Sequence, residues 1–196
     1  MTQRRTPKRN RRVSAATNGP VIRFYRANEK PYGAFSNMFQ RPLEFEGVVF
    51  PTAEHAYQAG KALRPVVRDW ILAAPSPALA AMAAHGLYTW EVVPNWAKIK
   101  FSRMRQVLRA KFTQHFDLAE LLIATGPARL VESSVVNNAV NRLWGEVNGK
   151  GDNMLGTMLM ELRAELAAEY GGLIQAAQTN ALPKRIEASL LNPALG

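Results

Sequence analysis

Two long stretches carry apolar residues at helical spacing, and they constrain the fold more than anything else in the chain. From Trp96 to Phe116, Ile99, Met104, Val107, Leu108 and Phe112 recur as one stripe, with Lys and Arg filling much of the remaining surface. From Met154 to Tyr170, Leu155, Met158, Leu159, Leu162 and Leu166 share a face, and Gly171-Gly172 closes the run. With the shorter helices read below, these two stretches point to a mainly α domain. The strand signals lie near its start, in Val21–Arg26 and in the alternating, Gly-broken hairpin Leu43–Phe50. The sheet is therefore expected to be small and confined to that region, giving an α+β fold with a minor N-terminal β component.

Shorter helices fill the interval. Pro51-Thr52 opens one from Ala53 to Leu63, with Thr52 as N-cap. The alanine-rich run before Gly86, inside Pro65–Glu91, reads as another. Asp117 is the expected cap of a helix from Leu118 to Thr125, ended by Gly126-Pro127, and Glu132–Asn153 reads as a loop. Residues 1–20 lack hydrophobic periodicity and hold six of the chain's twenty-five Lys and Arg, so they are expected to form a mobile basic tail. The domain runs from 21 to 172, and 173–196, broken by Pro183 and Pro193, reads as a C-terminal extension. No internal repeat is present.

Composition removes several chemistries. With no cysteine, the chain has no disulfide scaffold, thiolate metal site or cysteine nucleophile. His55, His85 and His115 lack metal-ligand spacing and read as core or surface residues, so no metal site is expected. No apolar run reaches the roughly 20 residues of a membrane span, and no apolar signal core follows the basic start; the expectation is an intracellular, non-secreted protein without a membrane partner.

Three constellations can carry chemistry. On a helix, Glu54, Gln58 and Lys61 stand at i, i+4 and i+7, presenting a carboxylate, an amide and an amine on one face among small residues; a solvated polar face reads the same way. Tyr32-Gly33-Ala34-Phe35-Ser36-Asn37-Met38-Phe39 mixes aromatics with Gly, Ser and Asn, suited to a ligand or to a routine turn. Asn141 to Asn153, with Trp144-Gly145 and Lys150-Gly151, runs into a helix start; it is either an anion-binding loop or a surface loop capped by Asn153. Trp70, Trp90 and Trp96 read as core residues, Trp96 with an option to face a cleft. The cations Lys98, Lys100, Arg103, Arg105, Arg109 and Lys111 read as a solvated surface.

In this order the constellations resemble the NADAR, or YbiA-like, family. The resemblance extends through Asn95-Trp96, Leu108–Phe112, Leu121–Gly126, Leu130-Val131-Glu132, Trp144-Gly145, Gly149–Gly156 and Leu159–Arg163, covering Phe24 to Leu166. It implies a compact, mainly helical domain with N-glycosidase activity on ribosyl amines. The substrates implied are ADP-ribose on guanine in nucleic acid or the ribosylamino intermediates of riboflavin synthesis. No cofactor is implied. The partner is ADP-ribosylated nucleic acid or an ADP-ribose-like small molecule, and the basic tail is expected to contact nucleic acid.

Carried onto this chain, the resemblance makes Lys61 the nucleophile of a Schiff-base mechanism and Glu54 its proton shuttle. Burial would lower the Lys61 pKa and an ionised Glu54 would raise it, and the sequence leaves both open. Trp96 and Trp144 would stack on a base or line the pocket, and Lys150, Gly151 and Asn153 would hold phosphate or ribose. Tyr32, Gly33, Ser36, Asn37, Gln58 and Gly145 complete the implied substrate contacts. Relatives usually carry Asp where this chain has Asn141, the third implied catalytic position; Asn keeps the shape but cannot accept a proton. Val147 stands where glycine is common, and the loop before Gly149 is one residue short. A shifted alignment, a different mode of working and a chain altered to hold its substrate each fit these departures. Asn141 also motivates a second class, a catalytically silent ADP-ribose or nucleic-acid binding module. A basic architectural nucleic-acid protein is the third.

Overall fold

A computed structural model describes residues 19–171. The N-terminal tail up to residue 18, and Gly172 with the C-terminal extension, lie outside the described residues.

Helix α4 (Trp96–Gln114) is the axis of the molecule, because it separates two apolar clusters and contributes to both. Met104, Leu108 and Phe112 face one side, where they pack with Phe24, Phe35, Leu130 and the apolar face of α7 (residues 154–171). Val107 faces the other, against α1 (Ala53–Ala59), α2 (Pro65–Leu72) and α3 (Pro77–His85). The alanines of α1, and Ala80 and Ala84 of α3, are fully buried there, so small side chains let these short helices approach closely. The hairpin β2 (Leu43–Phe45) and β3 (Val48–Phe50) covers this second cluster with Leu43 and Phe50. Helix α5 (Phe116–Ala124) follows α4 after His115.

Several expectations are corrected. The first helix ends at Ala59, so Lys61 lies in the turn beyond it. Pro65–Glu91 forms two helices, α2 and α3, rather than one. Asp117 lies in the first turn of α5 and pairs with Arg41, and His115 occupies the cap position. Ile99 is largely exposed. Sheet structure is not confined to the N-terminal region: β4 (Arg129–Ser134) pairs in parallel with β1 (Val21–Phe24), in the register Phe24↔Glu132. The stretch read as a loop holds the end of β4, then α6 (Ala139–Trp144) and β5 (Glu146–Val147), which pairs with β4 on its other side. Asn138 caps α6 by accepting from the Asn141 N–H at 2.8 Å. Trp70 and Trp90, read as core, are exposed. Lys111, read as solvated, is fully buried.

Candidate active site

The short helix α1 is fixed at both ends. At its start Thr52 accepts from the His55 N–H at 3.3 Å, and the His55 ring bridges the Thr52 hydroxyl and the Ala74 carbonyl. His55 is thus a satisfied core residue. At its end the Arg103 guanidinium donates to the carbonyls of Ala56 and Tyr57, 2.7 Å and 3.3 Å away, and pairs with Glu46. These carbonyls lack helical partners, and the cation meets the negative end of the helix. The Glu54 N–H donates to the Asn37 carbonyl at 3.0 Å, tying the Ser36-Asn37 loop to the helix start.

This frame surrounds a cavity of about 720 Å³. Glu54, Gln58, Lys61, Ser36, Asn37, Trp96, Trp144 and Asn141 all line it. The Gln58 amide donates to Glu54 at 2.7 Å, as the i,i+4 spacing requires. Tyr57 lies between the two indoles, 5.3 Å from Trp96 and 5.6 Å edge-on to Trp144, so the aromatic wall comes from three separate helices. The Asn141 amide donates to the Val136 carbonyl at 2.7 Å, a bond that an aspartate could not make.

Burial dominates the electrostatics. It raises the Glu54 pKa above the ordinary carboxylate value, partly offset by the Gln58 hydrogen bond. Lys61 is half-buried and its Nζ donates to the Ala84 carbonyl at 2.6 Å, in the last turn of α3. Desolvation lowers its pKa, which answers the question the sequence left open. Burial, followed by the Lys61 charge, lowers the pKa of neighbouring His85 as well.

The remaining candidates do not reach the cavity. Tyr32 stacks on Phe35 and packs against the first core cluster. At Gly33 a side chain would run into the Arg26 and Ala27 carbonyls, and at Gly145 into the backbone of Glu132. Lys150 is exposed, with its backbone bonded to Val147. A side chain at Gly151 would meet the carbonyls of Arg142 and Gly145. Asn153 donates to the Leu130 carbonyl at 2.8 Å and accepts from the Glu132 N–H at 3.1 Å, anchoring β4 rather than a ligand. From this loop only Asn141, Leu143 and Trp144 line the cavity.

Glu132, Tyr57, Arg26, Lys100 and His85 line the cavity without having been singled out for it. Glu132 matters most: desolvation, then the Glu54 charge, pushes its pKa up to about 7. Two carboxylates and an amine therefore line one cavity, an arrangement suited to moving a proton beside a nucleophile. The signal for Glu132 was its place after Leu130-Val131, two apolar residues that a central strand buries.

The NADAR domain model matches residues 23–167, and the chain belongs to that family. It is 42% identical over 164 residues to the N-glycosidase YbiA of Shigella flexneri, spanning 83% of this chain and 99% of that one. It is 33% identical over 146 residues to a riboflavin biosynthesis protein of Vibrio vulnificus, covering 74% of this chain and 38% of that protein. The NMR structure of Escherichia coli YbiA superposes with a TM-score of 0.69 at 39% identity, over 84% of this chain and 95% of that one. The chain is accordingly an enzyme of the N-glycosidase class, a hydrolase of N-glycosyl bonds.

Proposed function

We propose that the chain removes ADP-ribose from the exocyclic amine of guanine in nucleic acid through a Schiff base on Lys61. The observation that carries this reading is the pairing, in one cavity, of a half-buried amine with lowered pKa and a buried carboxylate with raised pKa. A neutral amine is a nucleophile and a protonated carboxyl is an acid, so each group is biased towards the form the reaction needs. Arg26 and Lys100 on the cavity wall supply cations for a diphosphate, and Trp96 and Trp144 supply faces for rings.

The ribose carbon C1′ is bonded to the ring oxygen and to the guanine amine. Glu54 gives a proton to the ring oxygen, the C1′–O bond breaks, and an imine forms between C1′ and the guanine nitrogen. The Lys61 nitrogen bonds to C1′, Glu54 carries the released proton to the guanine nitrogen, and the C1′–N bond to guanine breaks. A Schiff base between Lys61 and C1′ remains. Water adds to it, Lys61 leaves as the amine, and the ribose closes as its hemiacetal.

Incubation with an oligonucleotide carrying ADP-ribosylated guanine, followed by mass spectrometry, tests the reading. Catalytic release of ADP-ribose is expected, and borohydride should trap the sugar on the peptide containing Lys61. Undiminished release by Lys61→Ala would sink the lysine mechanism. The Vibrio relative's name supports a second reading, hydrolysis of ribosylaminopyrimidines. Turnover of those compounds with the oligonucleotide untouched would select it.

A further inference from the structure

We propose that the exposed Tyr88–Trp90 ring pair, carried by the segment between the cavity-lining residues His85 and Trp96, is a stacking platform for the nucleobase next to the modified guanine. This rests on the nucleic-acid reading above and adds where the neighbouring base is held. The two rings are stacked on each other, with centroids 4.5 Å apart and planes 7° from parallel. They are nevertheless 64% and 71% exposed, among the most exposed large apolar side chains described. Each ring covers one face of the other and leaves its outer face open.

The position connects the pair to the chemistry. His85, at the end of α3, and Trp96, at the start of α4, both line the cavity, and the segment joining them carries the pair. That segment is bonded to the stretch holding Lys61: the Val93 N–H donates to the Lys61 carbonyl at 3.0 Å, and the Leu63 N–H donates to the Glu91 carbonyl at 2.7 Å. The turn is also held from within. The Glu91 carboxylate accepts from the Tyr88 N–H and from Arg64, each at 3.1 Å, so the backbone that carries the rings is held in place.

Charge selects the occupant. Exposed Lys98 and half-buried Lys100 follow on the first turns of α4, Lys100 lining the cavity, and neither pairs with a carboxylate among the described residues. Glu91, the acidic residue of the turn, is neutralised by Arg64. An open aromatic face on a segment that leads into these cations matches a base and its phosphates, as in proteins that hold single strands. In a duplex both faces of each base are taken by its neighbours, so the platform requires an unstacked strand.

The test uses the full chain and its Trp90→Ala variant. The substrates are a single-stranded oligonucleotide carrying ADP-ribosylated guanine and the same strand with abasic sites flanking that guanine. Trp90→Ala should raise KM on the intact strand about tenfold, the usual scale for loss of one base stack, and change kcat less. The abasic sites should cost the wild type a similar factor and cost the variant almost nothing. An unchanged KM, or an abasic penalty that survives Trp90→Ala, would overturn the platform.

Anisotropy of a labelled, unmodified single strand reads the platform without turnover. A similar weakening in Trp90→Ala supports it even if no ADP-ribosylated guanine is cleaved, in which case the substrate reading fails by itself. Wild-type binding by the variant overturns it and leaves the pair to a protein partner.

Discussion

Lys61 and Lys111 are both desolvated lysines whose pKa values are lowered by burial, yet they stand in opposite situations. Lys111 is fully buried and donates to the carbonyls of Ala34 and Ser36, at 2.6 Å and 2.9 Å, while its Nζ lies 5.6 Å from the Phe39 ring centroid. Its pKa falls to about 7. Lys61 makes one such bond, to Ala84, and borders the cavity. Lowered basicity thus marks desolvation wherever it occurs. What makes a nucleophile is a desolvated amine with one open side. Lys111 instead tethers the loop that carries Ser36 and Asn37 to the cavity wall.

The largest expected effect is at the open lysine. Lys61→Ala should lower turnover by about 10³-fold or more with little change in melting temperature, read by single-turnover kinetics beside thermal denaturation. At the closed lysine the effect moves to stability. Lys111→Met leaves two buried carbonyls without donors and should cost about 2–4 kcal/mol, measured by urea denaturation. A Lys111→Met protein as stable as the wild type would erase the distinction.

The pH dependence of stability sharpens it. An unfolded lysine keeps its proton up to about 10.5 and the folded Lys111 only up to about 7, so the unfolded state holds more protons between these values. Lys111 therefore contributes stability that rises with pH across that window, and Lys111→Met should flatten the rise. Glu132 acts in the lower window with the opposite sign. Its folded pKa of about 7 exceeds the ordinary 4.5, so its contribution falls as pH rises from 4.5 to 7, and Glu132→Gln should remove that fall.

Smaller changes are expected at the carboxylates of the cavity. Glu54→Gln should lower kcat by about 10²-fold, the usual scale for one general acid, without loss of stability, because a desolvated carboxyl is replaced by an amide. The Glu54 charge helps to hold the Glu132 pKa up, so in Glu54→Gln the Glu132 carboxyl should titrate at lower pH, read by carbon-13 NMR of its side chain. An unmoved titration would separate the two carboxylates.

The sequence made α4 and α7 legible because their stripes are long and regular, and Thr52 named the start of α1 correctly. It concealed β4, since Leu130 and Val131 are its only core positions with large side chains and its partner β1 lies at the far end of the domain. Periodicity cannot report a pairing so distant in the chain, and Glu132 went with it. Helix α6 is too short to show a period. Lys111 was legible in spacing alone: the stripe of Met104, Val107, Leu108 and Phe112 includes position 111, and only the residue type argued for solvent. The Glu54, Gln58 and Lys61 grouping survived for a reason other than the helical one. Lys61 leaves the helix, but the turn after Ala59 and the Ala84 carbonyl keep its amine on the cavity. The Asn141–Asn153 loop was read for its glycines, of which Gly145 packs against the Glu132 backbone and Gly151 against the carbonyls of Arg142 and Gly145.

The Arg103 clamp has a consequence for inheritance. Its guanidinium fills the space that any side chain at position 60 would occupy, while bonded to the carbonyls of Ala56 and Tyr57. A descendant that gains bulk at Gly60 pushes the guanidinium off those carbonyls, and one that shortens residue 103 gives the clamp up outright; either change loosens the helix bearing Glu54. The two positions form one lock, so a change at either is felt at the other.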